Sequence, residues 1–180
     1  MDSDVFVKKS FDLFLDNKCF SSIEFTEKLY QESLISGLID KDGSLLSENS
    51  ILVPGIAIQA AVIGSVKGNE YIYECMKHYE ELPFILENEI EHNTQYVLPN
   101  AMAFIARNYG FKYFNKEQSL KNGLKLYPAV YFAGYPDLET KETYAVHCCS
   151  GSWRSIPLWK RLKQSVKERL FIAKKIVKKQ

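Results

Sequence analysis

The chain has 180 residues, 46% of them apolar and 25% charged, with a formal net charge of +1. That is one ordinary domain or a large part of one, with the balance of a soluble globular protein and not of a disordered or fibrous chain. Charge is unevenly spread: residues 154–180 hold ten Lys/Arg and one acid, Glu168, so the tail carries about +9 and residues 1–153 about −8.

Reading from the start, Val5-Phe6-Val7 ends a strand, and Ser10 caps a short helix built on Phe11, Leu13, Phe14 and Leu15. Cys19 to Phe25 reads as a strand, Glu27 to Leu38 as helical or irregular, and Asp42-Gly43 as a turn that opens a loop from Ser44 to Ser50. The run Ile56 to Ile63, apolar but for Gln59, predicts a buried strand. After a turn at Lys67-Gly68-Asn69, the helical spacing of Ile72, Cys75, Met76 and Tyr79 predicts an amphipathic helix over Glu70 to Glu80 with that face in the core. Asn93 or Thr94 caps a further helix to Tyr109, with Pro99 in its first turns and Gly110 as its stop. Leu124 to Leu126, Val130 to Phe132 and Tyr144 to His147 are strand candidates. Alternating strands and helices predict an α/β class.

No run reaches the roughly 18 consecutive apolar residues of a membrane-spanning helix. Met1-Asp2-Ser3-Asp4 lacks the basic and apolar regions of a secretion signal. Cys19, Cys75, Cys148 and Cys149 show no C-x-x-C spacing, and the adjacent pair suits neither a disulfide framework nor a zinc site. Reduced thiols and a cytoplasmic location are expected. Cys148 and Cys149 read as small buried fillers, and His78 and His92 as surface residues.

Two motifs carry chemistry. Asp2 and Asp4, spaced i, i+2 on a segment expected to be extended, point the same way and offer hard oxygens to Mg²⁺ or Mn²⁺. At the other end, His147-Cys148-Cys149-Ser150-Gly151-Ser152-Trp153 offers an imidazole and a hydroxyl to complete such a site and an indole to cover a sugar or base. Spacing alone equally allows a solvated Asp-Ser-Asp, a half-buried core His147 and a core anchor at Trp153.

Asp2-Ser3-Asp4-Val5 with Lys9 to Leu15, then Ala61 to Asn69, Leu126-Tyr127-Pro128 through Phe132, Thr143 to His147 and Ser152-Trp153 together resemble glycosyltransferase family 32, the sugar transferases of capsular polysaccharide synthesis and the yeast-type mannosyltransferases. The resemblance spans the chain to about Trp153. It implies a partial A-type (nucleotide-diphospho-sugar transferase) fold over residues 1–153, lacking the N-terminal nucleotide-binding half that precedes the D-x-D segment in the family. It implies a Mn²⁺ or Mg²⁺ site at Asp2, Asp4 and His147, and a donor site at Asp2, Ser152 and Trp153. The implied function is transfer of a sugar from a nucleotide-sugar donor to a polysaccharide or lipid-linked acceptor. No catalytic nucleophile is assigned, and the chain alone is expected to turn over little or nothing. The alternative is a non-catalytic remnant that binds a partner or a membrane surface. Cys148 departs from the family, where a second His is common.

Residues 154–180 form a separate basic segment. Trp159, Leu162, Val166, Leu170, Ala173 and Val177 make an apolar stripe flanked by Lys and Arg, which fits an amphipathic helix over residues 158–178. Such a helix either lies on an anionic membrane surface, as a peripheral attachment to its inner face, or packs on the acidic body. No motif accompanies the charge that would read nucleic acid.

Overall fold

The computed structural model describes residues 1–46, 50, 52–81 and 97–149, together with Val166 and Leu170. Among the described residues the chain is a mixed α/β structure with two mixed sheets and three helices of eight residues or more. The larger sheet is built on β2 (Cys19–Phe25), which pairs antiparallel with β3 (Ile56–Ile58) and β4 (Gly64–Ser65) and parallel with β6 (Leu124–Tyr127); β5 (Gln118–Ser119) completes it against β6. The smaller sheet joins the two ends of the described chain. β1 (Val5–Val7) runs antiparallel to β8 (Ala145–His147), and β7 (Phe132–Ala133) runs parallel to β8 on its other edge.

The central strand is buried over its first five residues, Cys19 to Ile23, so its polar side chains need partners inside the protein. The Ser21 hydroxyl lies 2.6 Å from the Gln59 carbonyl and 2.9 Å from that of Val62. Those two contacts explain why the apolar run from Ile56 makes a strand only to Ile58, not to Ile63 as its composition predicts. Gln59 N–H still reaches Ser22 O at 2.9 Å, but beyond it the chain bends, and side chains meet the carbonyls that a ladder would have used. The Gln59 amide also donates to Phe132 O at 2.6 Å and ties β7 to the larger sheet.

Ser10 begins a single 3₁₀ turn, Asp12–Phe14, in place of the predicted helix. Its hydroxyl accepts from Asp12 N–H at 3.2 Å, and the turn drops Phe14 into the core while Leu13 and Leu15 stay exposed. The three helices are α1 (Glu27–Ile35), α2 (Glu70–Glu80) and α3 (Leu98–Ala106). Asn69 caps α2 by accepting from Ile72 N–H at 3.2 Å. The buried face of α2 is rotated from the one its pattern predicts: Cys75 is buried and Ile72 packs against the core as expected, but Tyr71 is buried with them and Met76 is 54% exposed. The physical reason is the Tyr71 hydroxyl, which donates to Met102 O on α3 at 3.0 Å and sets the rotation of the helix. His78, expected at the surface, stacks on Phe104 of α3 at 5.9 Å between ring centroids. Pro99 stands in the first turn of α3, which closes through a 3₁₀ turn at Gly110 (φ +96°). The predicted caps Asn93 and Thr94, and His92, lie outside the described residues.

Apolar packing falls into two clusters. One fills the space between the larger sheet and the helices, around Ile23, Ile58, Tyr71, Met102 and Leu126. The other is aromatic and lies between the sheets, with Phe14, Phe20, Tyr127 and Phe132 at its centre. Phe14 alone meets six rings at centroid distances from 4.8 to 6.2 Å. This second cluster seats the smaller sheet, and the smaller sheet carries the candidate site.

Candidate metal centre

Asp2 and Asp4 stand immediately before β1, and His147 is the last residue of β8. Antiparallel pairing sets Val5 opposite His147, and Cys148 N–H continues the ladder to Asp4 O at 3.0 Å. Asp2 N–H is held by Ala61 O at 2.9 Å. The segment is a turn and not the extended stretch expected from the sequence: Val5 N–H reaches back to Asp2 O at 3.4 Å. The two carboxylates therefore face one side because the chain folds back between them, not because a strand alternates.

His147 Nε2 lies 3.2 Å from Asp4 Oδ1 and 3.9 Å from Asp2 Oδ2. One ligand atom from each of the three residues falls within 4.8 Å of the others. Two bonds of the length found for hard divalent cations span roughly 4–5 Å, so this separation accommodates one ion. The two carboxylate oxygens suit Mn²⁺ or Mg²⁺, while the imidazole nitrogen is the donor of borderline divalent ions such as Zn²⁺. The three residues thus fit one divalent cation by spacing, with carboxylates as the donors that suit Mn²⁺ or Mg²⁺. The exposure of Asp2 and the partial burial of Asp4 and His147 leave the centre open on one side.

Two further groups border it. Glu24 on β2 is exposed as a residue, yet partial desolvation of its carboxyl holds it above the usual carboxylate range, and the nearby His147 partly opposes the shift. Burial also pushes the Cys149 thiol up to about 11, with the negative charges of Glu24 and Asp4 adding to it and a hydrogen bond from Tyr135 opposing. Cys149 Sγ lies 3.3 Å from His147 Nδ1 and 3.0 Å from Gly134 O. Neither Glu24 nor Cys149 was read as a site residue from the sequence. The one available signal for Glu24 was a lone acid in an otherwise buried strand; for Cys149 it was a place two residues after His147.

Ser152 and Trp153 lie outside the described residues, as does the predicted tail helix apart from Val166 and Leu170. An apolar cleft of about 350 Å³, lined by Met1, Phe11, Leu15, Phe20, Val62 and Val66 among others, offers no carboxylate or imidazole. No helix among the described residues is long and apolar enough to cross a membrane. Compared with family models, with curated proteins and with solved structures, the chain has no match. Fold and site together define a mixed α/β protein with a cluster of two carboxylates and one imidazole between its paired ends.

Proposed function

We propose that the chain is the core part of a metal-dependent glycosyltransferase, moving a sugar from a nucleotide-sugar donor to a polysaccharide or lipid-linked acceptor. The observation that carries this reading is the meeting of Asp2, Asp4 and His147, which come from opposite ends of the described chain and bring a compatible donor set within 4.8 Å. The ordered motifs that resemble family 32, to which these three residues themselves belong, point the same way.

In this reading Asp2, Asp4 and His147 hold Mn²⁺ or Mg²⁺. When bound, the cation supplies positive charge against the diphosphate that leaves the sugar. Asp2 lies at the open side of the centre, where a diphosphate can approach the ion. Ser152 and Trp153 are assigned to the donor by resemblance.

The test is Mn²⁺ titration followed by electron paramagnetic resonance, with and without UDP or GDP. Saturable binding that tightens with a nucleoside diphosphate is the expected result. Asp4→Asn and His147→Ala should each weaken Mn²⁺ by more than the roughly 10–100-fold that loss of a mere supporting partner costs. Wild-type protein that ignores Mn²⁺, or variants that bind it equally well, would sink the proposal.

A second reading has one observation of its own. Val166 and Leu170 are helical, spaced i, i+4, and each 55% exposed, so the apolar stripe presents at least two residues outward. This favours an anionic membrane surface as the partner of residues 158–178. Co-sedimentation with phosphatidylserine vesicles should exceed that with neutral vesicles and fall with salt. Equal sedimentation with both leaves a helix packed on the body.

A further inference from the structure

Resting on the metal-site reading above, we infer that Cys149 is the positioning residue of His147: its sulfur accepts the Nδ1 proton and so aims the Nε2 lone pair at the ion held by Asp2 and Asp4. A neutral imidazole carries one N–H, and a ring that ligates through one nitrogen presents its proton at the other. That proton needs an acceptor, which in metal sites fixes both tautomer and ring orientation. Here Nε2 faces Asp4 and Asp2 at 3.2 and 3.9 Å, while Nδ1 faces Cys149 Sγ at 3.3 Å. The two sides of the ring thus have different partners, carboxylates on one and sulfur on the other.

The thiol has a single proton to give. Gly134 O, 3.0 Å from Sγ, is positioned to receive it, and Tyr135 adds a hydrogen bond toward the sulfur. What remains for the imidazole is a sulfur lone pair, so the ring must supply the N–H. Topology makes the arrangement: β7 and β8 run parallel with Ala133 opposite Val146, so the residues that follow them, Gly134 and Cys149, come together beyond the strand ends. The backbone is bent to the same purpose. Cys149 has φ +49°, a left-handed conformation uncommon outside glycine, and it folds the sulfur back onto the ring two residues earlier. Cys149 is not itself a ligand: the metal-sized group of the described residues comprises Asp2, Asp4 and His147 without it.

Cys149→Gly separates this role from a structural one. Glycine adopts a positive φ without strain, so the variant should lose the acceptor and keep its stability. Its Mn²⁺ dissociation constant should rise about 10-fold, the low end for a supporting partner. Cys149→Ser, which keeps a small acceptor, should recover most of that loss. In Mg²⁺-saturated wild-type protein, ¹⁵N spectra of His147 should show the proton on Nδ1, exchanging with solvent more slowly than in Mg²⁺-saturated Cys149→Gly, where the acceptor is gone. An unchanged Mn²⁺ constant in Cys149→Gly, a wild-type proton on Nε2 in the Mg²⁺ form, or a fall in urea stability that accounts for the weaker binding would each overturn the inference. If the wild type binds Mn²⁺ and Cys149→Gly is indifferent, only the inference falls. If the wild type binds no Mn²⁺, the metal-site reading falls and the inference with it.

Discussion

The larger sheet and the smaller one are held together by different physics. β2 is seven residues long, buried over most of its length and hydrogen-bonded on both edges, with two helices packed through Tyr71, Cys75 and Met102 over its neighbourhood. The smaller sheet has strands of three, two and three residues, and its register covers only Val5 to Val7 and Ala145 to His147 on one edge. So short a sheet is marginal by itself. It persists because the Phe14 aromatic cluster glues it to β2 and β6, helped by stacked Tyr131 and Tyr144 at 5.5 Å and by Lys9 over Tyr144 at 4.7 Å. The larger sheet therefore carries most of the stability and the smaller one carries the site. A site on a weakly self-supporting element depends on packing remote from its own ligands.

The comparison breaks most visibly at Phe14. Phe14→Ala should cost about 3–5 kcal/mol, the range for a buried Phe truncated to Ala, and should abolish Mn²⁺ binding before the helices melt. Urea denaturation followed by far-ultraviolet circular dichroism, in parallel with the metal titration, checks it. Loss of both signals together would make the two regions one cooperative unit.

Alkali should reach both regions. Cys19 is pushed to about 12 by burial and by its neighbour Cys75, and Cys75 and Cys149 to about 11, chiefly by burial. A thiol whose folded-state pKa is raised keeps the native state protonated longer than the unfolded one. Its contribution is complete below the ordinary thiol value of 9.0 and is lost as pH climbs through 9 to about 11 or 12. The urea midpoint should therefore fall steadily above pH 9, and less steeply in Cys19→Ala relative to its own value at pH 7. A midpoint flat to pH 11 would show that these thiols stay hydrated.

Gly64→Ala sharpens the boundary between the regions. A Cβ there would overlap Cε1 and Cζ of Phe20, and Phe20 is buried between the sheets, so its ring has little room to retreat. About 1–3 kcal/mol of destabilisation is expected from such overpacking, read as a lower thermal midpoint. Smaller still is Tyr71→Phe on the helix face of the larger sheet. It removes the bond to Met102 O, and about 1 kcal/mol should follow. Met76→Ala, one turn along on the exposed face, should stay within about 0.5 kcal/mol. If Met76→Ala costs more than Tyr71→Phe, the assigned rotation of α2 is wrong.

Local chemistry was legible along the chain. Residues 19–25 form the predicted strand, with Phe20, Ile23 and Phe25 as its strand-favouring residues in a short run between polar turns. Gly110 ends α3 and its 3₁₀ turn, and Asn69 starts α2, because a left-handed stop and a capping amide act within a few residues. The chemical types of Asp2, Asp4 and His147 were also readable. Tertiary structure alone decided the rest. Whether the run from Ile56 ends at Ile58 depends on the hydroxyl of Ser21, far away in sequence. Which side of α2 is buried depends on a carbonyl of α3. That Glu24 and Cys149 border the same centre follows from the placement of β2 and the β7–β8 ends, which no periodicity encodes. Periodicity reports how a segment divides itself between oil and water; it carries no information on which distant polar group will meet it, and a site assembled from paired chain ends is made of such meetings.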